Sequence, residues 1–199
     1  MEIFDGTWLR IKKGSDYCLP EFIEFENDQI IHFKLEKTSV DGLTEKVHER
    51  NEKFSETKCV FINKNRIRIF RMGKTHTVTS QTESLTEDLE IATDYERIRP
   101  TKTDLTAKQI QALEFDAEWN NEKFPFVFNK ILDNPTIIKL NKRLDIEGRK
   151  LVLEKLQGTY FASMYENRER SILIGIKEID EEKAILFGFP ETPYQITAK

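Results

Sequence analysis

From residue 6 to about 99, apolar and polar positions alternate in short runs parted by turn residues, which is the pattern of antiparallel β structure. In PEFIEFENDQIIHFKLEK, Ile23 and Phe25 share one face, and beyond the Asn27-Asp28 turn Ile31, Phe33 and Leu35 share one face. In CVFINKNRIRIFRM, Val60 and Ile62 precede an Asn63-Lys64-Asn65 turn, after which Ile67 and Ile69 alternate with Arg66 and Arg68. GTWLRIKK, LTEKVHERNEKF, KTHTVTSQTES and DLEIATDYERIRP bring the total to about eight short-linked strands. A meander with one apolar face predicts an up-and-down barrel over residues 1–100, because closure removes both exposed edges.

The pattern changes at PTKTDLTAKQIQALEFDAEWNN, which neither Gly nor Pro interrupts and which Thr103 or Asp104 is placed to cap. At 100° per residue it carries two apolar stripes, Ile110-Leu113-Ala117 and Leu105-Ala112-Phe115-Trp119. This predicts a helix over 101–122 sandwiched between the barrel and the C-terminal region. From 123 to 199 the runs FPFVFNKIL, PTIIKLN, RKLVLEKL, GTYFASMYEN, RSILIGIKEI and KAILFGFP predict strands. Consecutive apolar residues such as Ile172, Leu173 and Ile174 read as strands covered on both faces. The Gly158-Thr159-Tyr160 step echoes Gly6-Thr7-Trp8. Only about forty residues lie beyond it, too few for a second barrel, so it is expected to start a strand of a smaller companion region.

Composition narrows the classes. The 199 residues carry 33% charged and 38% hydrophobic positions, enough for a heavily solvated but folded chain. A net charge of -4 offers no general attraction to nucleic acid or to an anionic membrane, so any such contact would be local. MEIFDGTWLR resembles neither a signal nor a transit peptide, and no stretch reaches the length of a membrane span; a cytoplasmic protein is expected. Cys18 and Cys59 read as buried thiols of a reducing compartment rather than a bridge.

Gly6-Thr7-Trp8 at the head of the first strand resembles the Gly-x-Trp signature of lipocalins and lipocalin-like barrels. In that family the Trp plugs one barrel end and an Arg from the last strand lies across it. YERIRP stands at the matching place, so the resemblance gives that role to Arg97 or Arg99, with a helix to follow. It covers the first half of the chain and speaks to fold. The fold class expected is mainly β (α+β): a lipocalin-like barrel over 1–100, a bridging helix over 101–122, and a β-rich region over 123–199 packed on the barrel.

Candidate chemistry is sparse. His32 alternates onto a polar side, His48 lies among charges, and only His76, in phase with Val78, points inward. No paired spacing suggests a metal or haem, and no cofactor is expected. Gly73-Lys74-Thr75 lacks the upstream glycine of a phosphate loop and reads as a hairpin turn. Glu21, Glu24 and Glu26, like Asp180, Glu181 and Glu182, read as solvated faces or turns. Lys64, Arg66, Arg68, Arg71 and Lys74, with Phe61 and Phe70 nearby, form the strongest local charge row and read as the outer face of a strand.

Binding rather than catalysis is therefore expected, with two candidate roles. One is a carrier of a small apolar ligand, with Trp8, Ile23, Phe25, Ile31 and Phe33, then Val60, Ile62, Ile67 and Ile69, facing the barrel interior. The other is a protein-binding role, such as an immunity protein that neutralises a toxin, or an adaptor. Its candidate surfaces are the acidic turn at 180–182 and the aromatic stretch with Phe189, Pro190 and Tyr194.

Overall fold

Alternation resolves into seven N-terminal strands: β1 (Trp8–Ile11), β2 (Cys18–Glu26), β3 (Gln29–Lys37), β4 (Thr44–Lys53), β5 (Lys58–Asn63), β6 (Arg66–Val78) and β7 (Ser84–Arg97). The computed structural model describes residues 4–11, 18–37, 44–78, 84–119, 122–131, 135–145, 147–167, 169–187 and 195–198. All seven strands pair antiparallel in the order β5-β6-β7-β1-β2-β3-β4, and the sheet curls into a half-barrel. Its margins, β4 and β5, do not pair with each other among the described residues. The strand expected at KTHTV is the continuation of β6: Gly73, Lys74 and Thr75 are strand residues opposite Leu89, Asp88 and Glu87, not a turn. At Asn27 and Asp28 both φ angles are positive, 46° and 62°, as the tight two-residue turn between β2 and β3 requires.

The inner strands are buried on both faces. On the concave face Trp8, Ile23, Ile30, Ile67, Ile69 and Tyr95 make one core. On the opposite face Leu9, Ile11, Phe22, Phe33 and Leu35 make a second core with Phe161, Leu173 and Phe187 from later strands. At Gly175 a β-carbon would lie 2.8 Å from the Phe187 ring of its own sheet and 3.4 Å from Leu9 of the half-barrel, so a side chain there would displace the Phe187 ring.

The chain leaves β7 into α1 (Ala107–Ala112), where Thr106 and Gln109 form a reciprocal capping box and Ile110 is buried. This helix is six residues long, not the span 101–122. Leu113 is already extended, and EFDAEW continues as strand β8 (Glu114–Trp119) paired with β9 (Glu122–Val127). Thr106, rather than Thr103 or Asp104, provides the cap. PTIIKLN, expected as a strand, opens helix α2 (Pro135–Leu144), with Pro135 in the first turn where its missing N–H costs nothing.

The remaining strands are β10 (Arg149–Leu156), β11 (Thr159–Glu166), β12 (Glu169–Ile179), β13 (Lys183–Leu186) and β14 (Gln195–Ala198). They pair in the order β10-β11-β12-β13-β14, then on to β8 and β9. Among the described residues a single pair, Leu173 with Cys18, joins β12 to β2. The protein is thus mainly β, a curled seven-stranded sheet backed by a smaller sheet.

Both Gly-Thr-aromatic steps meet the segment that leaves β7. Ile98 N donates to Thr7 O (2.9 Å), and Thr101 N donates to Gly158 O (3.1 Å). The Thr159 hydroxyl donates to Arg99 O (2.6 Å). The echo marks two strand starts anchored on one connection, with β11 beginning at Thr159.

Candidate functional site

The concave face is built around Trp8. Gly6 turns the chain at φ +95°, a conformation that favours glycine, and Trp8 comes next but one, with its indole N–H donating to Phe4 O at 3.1 Å. The Arg97 guanidinium stands 4.5 Å from the ring centroid, while Arg99 is exposed. Of the two arginines that the lipocalin resemblance offers, Arg97 makes the contact. The rings of Phe4, Phe25, Phe54 and Phe61 gather at the same end, with Phe4 within 4.9 Å of each of the others.

Next to this tryptophan lies a cluster that the strand pattern does not announce. His32, fully buried, has Nδ1 at 3.0 Å from Glu21 Oε1 and Nε2 at 3.1 Å from Glu52 Oε2. The Tyr95 hydroxyl donates to Glu21 at 3.1 Å, and Arg10 also pairs with that carboxylate. Arg71 Nε donates to Glu52 at 2.8 Å, which carries the network from β3 and β4 across the concavity to β6. The two carboxylates meet opposite nitrogens of one ring and do not converge on a common point, so the arrangement is a hydrogen-bonded tie. Strand alternation places Glu21 and His32 on a solvated side, and the structure corrects this. The legible signal is that Glu21 shares the face of Ile23, and His32 that of Ile30.

Burial alone would raise the Glu21 pKa, but the hydrogen bond from His32 and the charge of Arg10 outweigh it and hold the group at about 2. Because the folded value is depressed, the stabilisation it brings is complete above the ordinary value of 4.5 and disappears as pH falls through about 2. Urea unfolding midpoints should therefore drop between pH 4.5 and pH 2, and Glu21→Gln should flatten that part of the profile. An unchanged acid limb in the variant would place the acid sensitivity elsewhere.

The positions expected to face the interior divide. Trp8, Ile23, Ile67 and Ile69 are fully buried in the concave core, and Phe25 packs on it half-buried. Phe33 belongs to the opposite core, and Ile31, half-buried, shares its strand face. Val60 and Ile62 are 47% and 46% exposed. QIIHF and CVFI are apolar at both parities, so period alone does not choose a face; packing on Trp8 and Ile69 selects Ile30 and Cys59 instead, and Phe61, opposite Ile67, packs on Phe4. Cys59 is a free thiol that burial pushes up to about 11, so it stays protonated at neutral pH.

Nor is the basic row a stripe. Arg68 pairs bidentately with Asp94 (2.6 and 2.9 Å), buried Arg66 pairs with Glu96 (3.1 Å), and Arg71 points to the concave side. His48 is exposed and lies 2.7 Å from Asn51 Oδ1. Asp180 accepts the backbone N–H groups of Glu182 and Lys183, which makes 180–182 a structured turn. The side chains of His76 and Cys18, and Phe189, Pro190 and Tyr194, lie outside the described residues.

The most exposed apolar surface of the half-barrel is on its outer face. Val60 and Ile62 of β5 share that face with Phe70 and with Met72, which is 70% exposed. The Lys58–Glu90 (3.2 Å) and Arg68–Asp94 ion pairs border it. Among the described residues β5 pairs with β6 alone, so its outer row of backbone N–H and C=O groups has no strand partner.

No family model, curated protein or solved structure matches this chain.

Proposed function

We propose that the protein is a non-catalytic protein-binding module, of the adaptor or toxin-neutralising kind, that takes an extended segment of its partner along β5. The observation that carries this reading is the edge strand with adjacent exposed residues Val60, Phe61 and Ile62. An uncovered apolar edge is a liability in a free chain, and only another polypeptide strand supplies matching backbone donors and acceptors while covering the side chains. The apolar centre with a charged rim is the usual anatomy of a protein interface.

The carrier of a small apolar ligand is the second reading. It is favoured by Leu89 and Ile91, which share the strand face of Tyr95 and are about half exposed. Against it stands the filling of the concave core by six fully buried side chains.

Native mass spectrometry of the protein purified from its own cells separates the two readings. The expected result is a stoichiometric protein partner, slowed amide exchange at Lys58–Asn63 in the complex, and loss of the complex on Ile62→Lys. A small-molecule adduct without a protein partner, or a complex whose β5 amides exchange as in the free chain, overturns the proposal.

A further inference from the structure

The direction in which each backbone group of β5 points follows from its neighbours. Arg97 N donates to Asn65 O at 2.9 Å, at the foot of the ladder that continues with the pairs Arg66–Glu96 and Ile67–Tyr95. Backbone groups alternate in direction along an antiparallel ladder, so Ile67 and Ile69 turn theirs toward β7, while Arg66, Arg68 and Phe70 turn theirs toward β5. Val60 and Lys58, paired with Arg68 and Phe70, therefore use their N–H and C=O groups on β6. Those of Cys59 and Phe61 point out of the sheet, where no strand meets them among the described residues.

This open stretch is its own complement. Two antiparallel copies of Cys59-Val60-Phe61, related by a two-fold axis at Val60, set Cys59 of each opposite Phe61 of the other, so that every outward N–H meets an outward C=O. Opposed side chains stay on one side of a joined sheet, so Val60 meets Val60 on the outer face and exposed Phe61 gains cover beside Cys59. Charge does not oppose this approach: Lys58 and Arg68, the cations nearest the axis on the outer face, are already paired with Glu90 (3.2 Å) and Asp94 (2.6 Å). Farther out, Glu56 and Lys64 lie four residues to either side of Val60, and both are exposed. The two-fold axis brings Lys64 of each copy to Glu56 of the other.

We propose that a second copy of this chain covers β5 in the free protein, joining two half-barrels edge to edge, and that a partner strand takes the edge by displacing it. This dimer uses the edge assigned above to the partner and so rests on β5 being the docking strand. An unrelated strand would answer the backbone groups equally well; the match of Val60 with itself and of Lys64 with Glu56 is what favours a second copy. An edge that pairs with itself in a closed two-fold contact is also spent, and cannot recruit further chains.

Sedimentation equilibrium of the full chain from about 1 to about 200 µM should show a monomer–dimer equilibrium with a Kd on the order of 10 µM, the strength of a small transient interface. Ile62→Lys, which adds a cation beside Lys58 of the second copy, should leave the chain monomeric over that range. Val60→Cys should form a disulfide-linked dimer under mild oxidation, because a non-hydrogen-bonded pair on the axis holds its Cα atoms about 4.5 Å apart; the unsubstituted chain, which keeps Cys59, should not. Lys64→Glu and Glu56→Lys should each weaken self-association by roughly tenfold, and an equimolar mixture of the two should regain it, since both cross-copy pairs are then of opposite sign. All four positions are exposed, and an unchanged circular dichroism spectrum checks the fold. A chain that stays monomeric throughout, a dimer that survives Ile62→Lys, Val60→Cys without a cross-link, or a mixture no stronger than its components each overturns the dimer. The partner reading fails on separate ground: a β5 dimer with no protein partner recovered from cells removes the adaptor role and keeps the dimer, whereas a partner on β5 of a monomeric chain does the reverse.

Discussion

Replacing Trp8 by alanine lowers the free energy of unfolding by about 3–5 kcal/mol, the range for deleting a large aromatic side chain from a packed core. Trp8 is fully buried at the centre of the concave core, with edge-on contact to Phe25 at 6.3 Å between ring centroids. Its loss opens a void between β1, β2 and β7, strands held in register by the pairs Trp8–Ile23 and Trp8–Arg97. It also leaves the Phe4 carbonyl without the indole N–H and removes the aromatic face beneath Arg97. Equilibrium urea unfolding measures the effect, and Val60→Ala, at an exposed position of the same half-barrel, should change stability by no more than about 0.5 kcal/mol. A Trp8→Ala loss as small as that of the control would mean that the indole does not organise the core.

The second large effect is expected at Glu154, on the seam between the two sheets. Its nearly inaccessible carboxylate accepts from Tyr165 Oη at 2.6 Å, from Arg170 Nε at 3.0 Å and Nη2 at 2.8 Å, and from the Ser163 hydroxyl. Arg170 in turn donates to the backbone carbonyl of Leu35 on β3. The pair therefore fastens the smaller sheet to the half-barrel. Burial raises the Glu154 pKa, but hydrogen bonds from Arg170, Ser163 and Tyr165 more than reverse this and keep it below the usual carboxylate value. Glu154→Ala strands a buried guanidinium and should cost about 3–5 kcal/mol. Replacing Glu154 and Arg170 together by methionine should recover most of that loss, because the penalty comes from the uncompensated charge. If the double variant is as unstable as the single one, the carboxylate contributes through Tyr165 and Ser163 rather than through the ion pair.

How much of this is legible in the chain varies with the kind of residue. The alternation in β2 and β3, the Asn27-Asp28 turn and the pairing of Ile67 and Ile69 with the core are all readable, because each is decided within a few residues along the chain. An arginine over Trp8 is readable from a motif whose members lie in adjacent strands, but the choice of Arg97 over Arg99 is the structure's. The Glu21–His32–Glu52–Arg71 tie is not. Its members sit on four strands, and each one alone resembles an ordinary solvated charge. Likewise, EFDAEW and PTIIKLN fit either period, and their state is settled by pairing with β9 in one case and by the Pro135 helix start in the other.

The sequence by itself determined a mainly β protein and its strand starts at both Gly-Thr-aromatic steps, and it left Arg97 and Arg99 open as partners of Trp8. Only the tertiary structure decided which face of β3 and β5 turns inward, which charges are paired, and which strand is left as an edge. The physical reason is that β1, β2 and β3 are buried on both sides, so apolar residues occur at both parities and period-two alternation carries no information about direction. The choice passes to partners far along the chain, such as Phe161 and Phe187 behind Leu9, and Arg71 and Tyr95 facing Glu52 and Glu21.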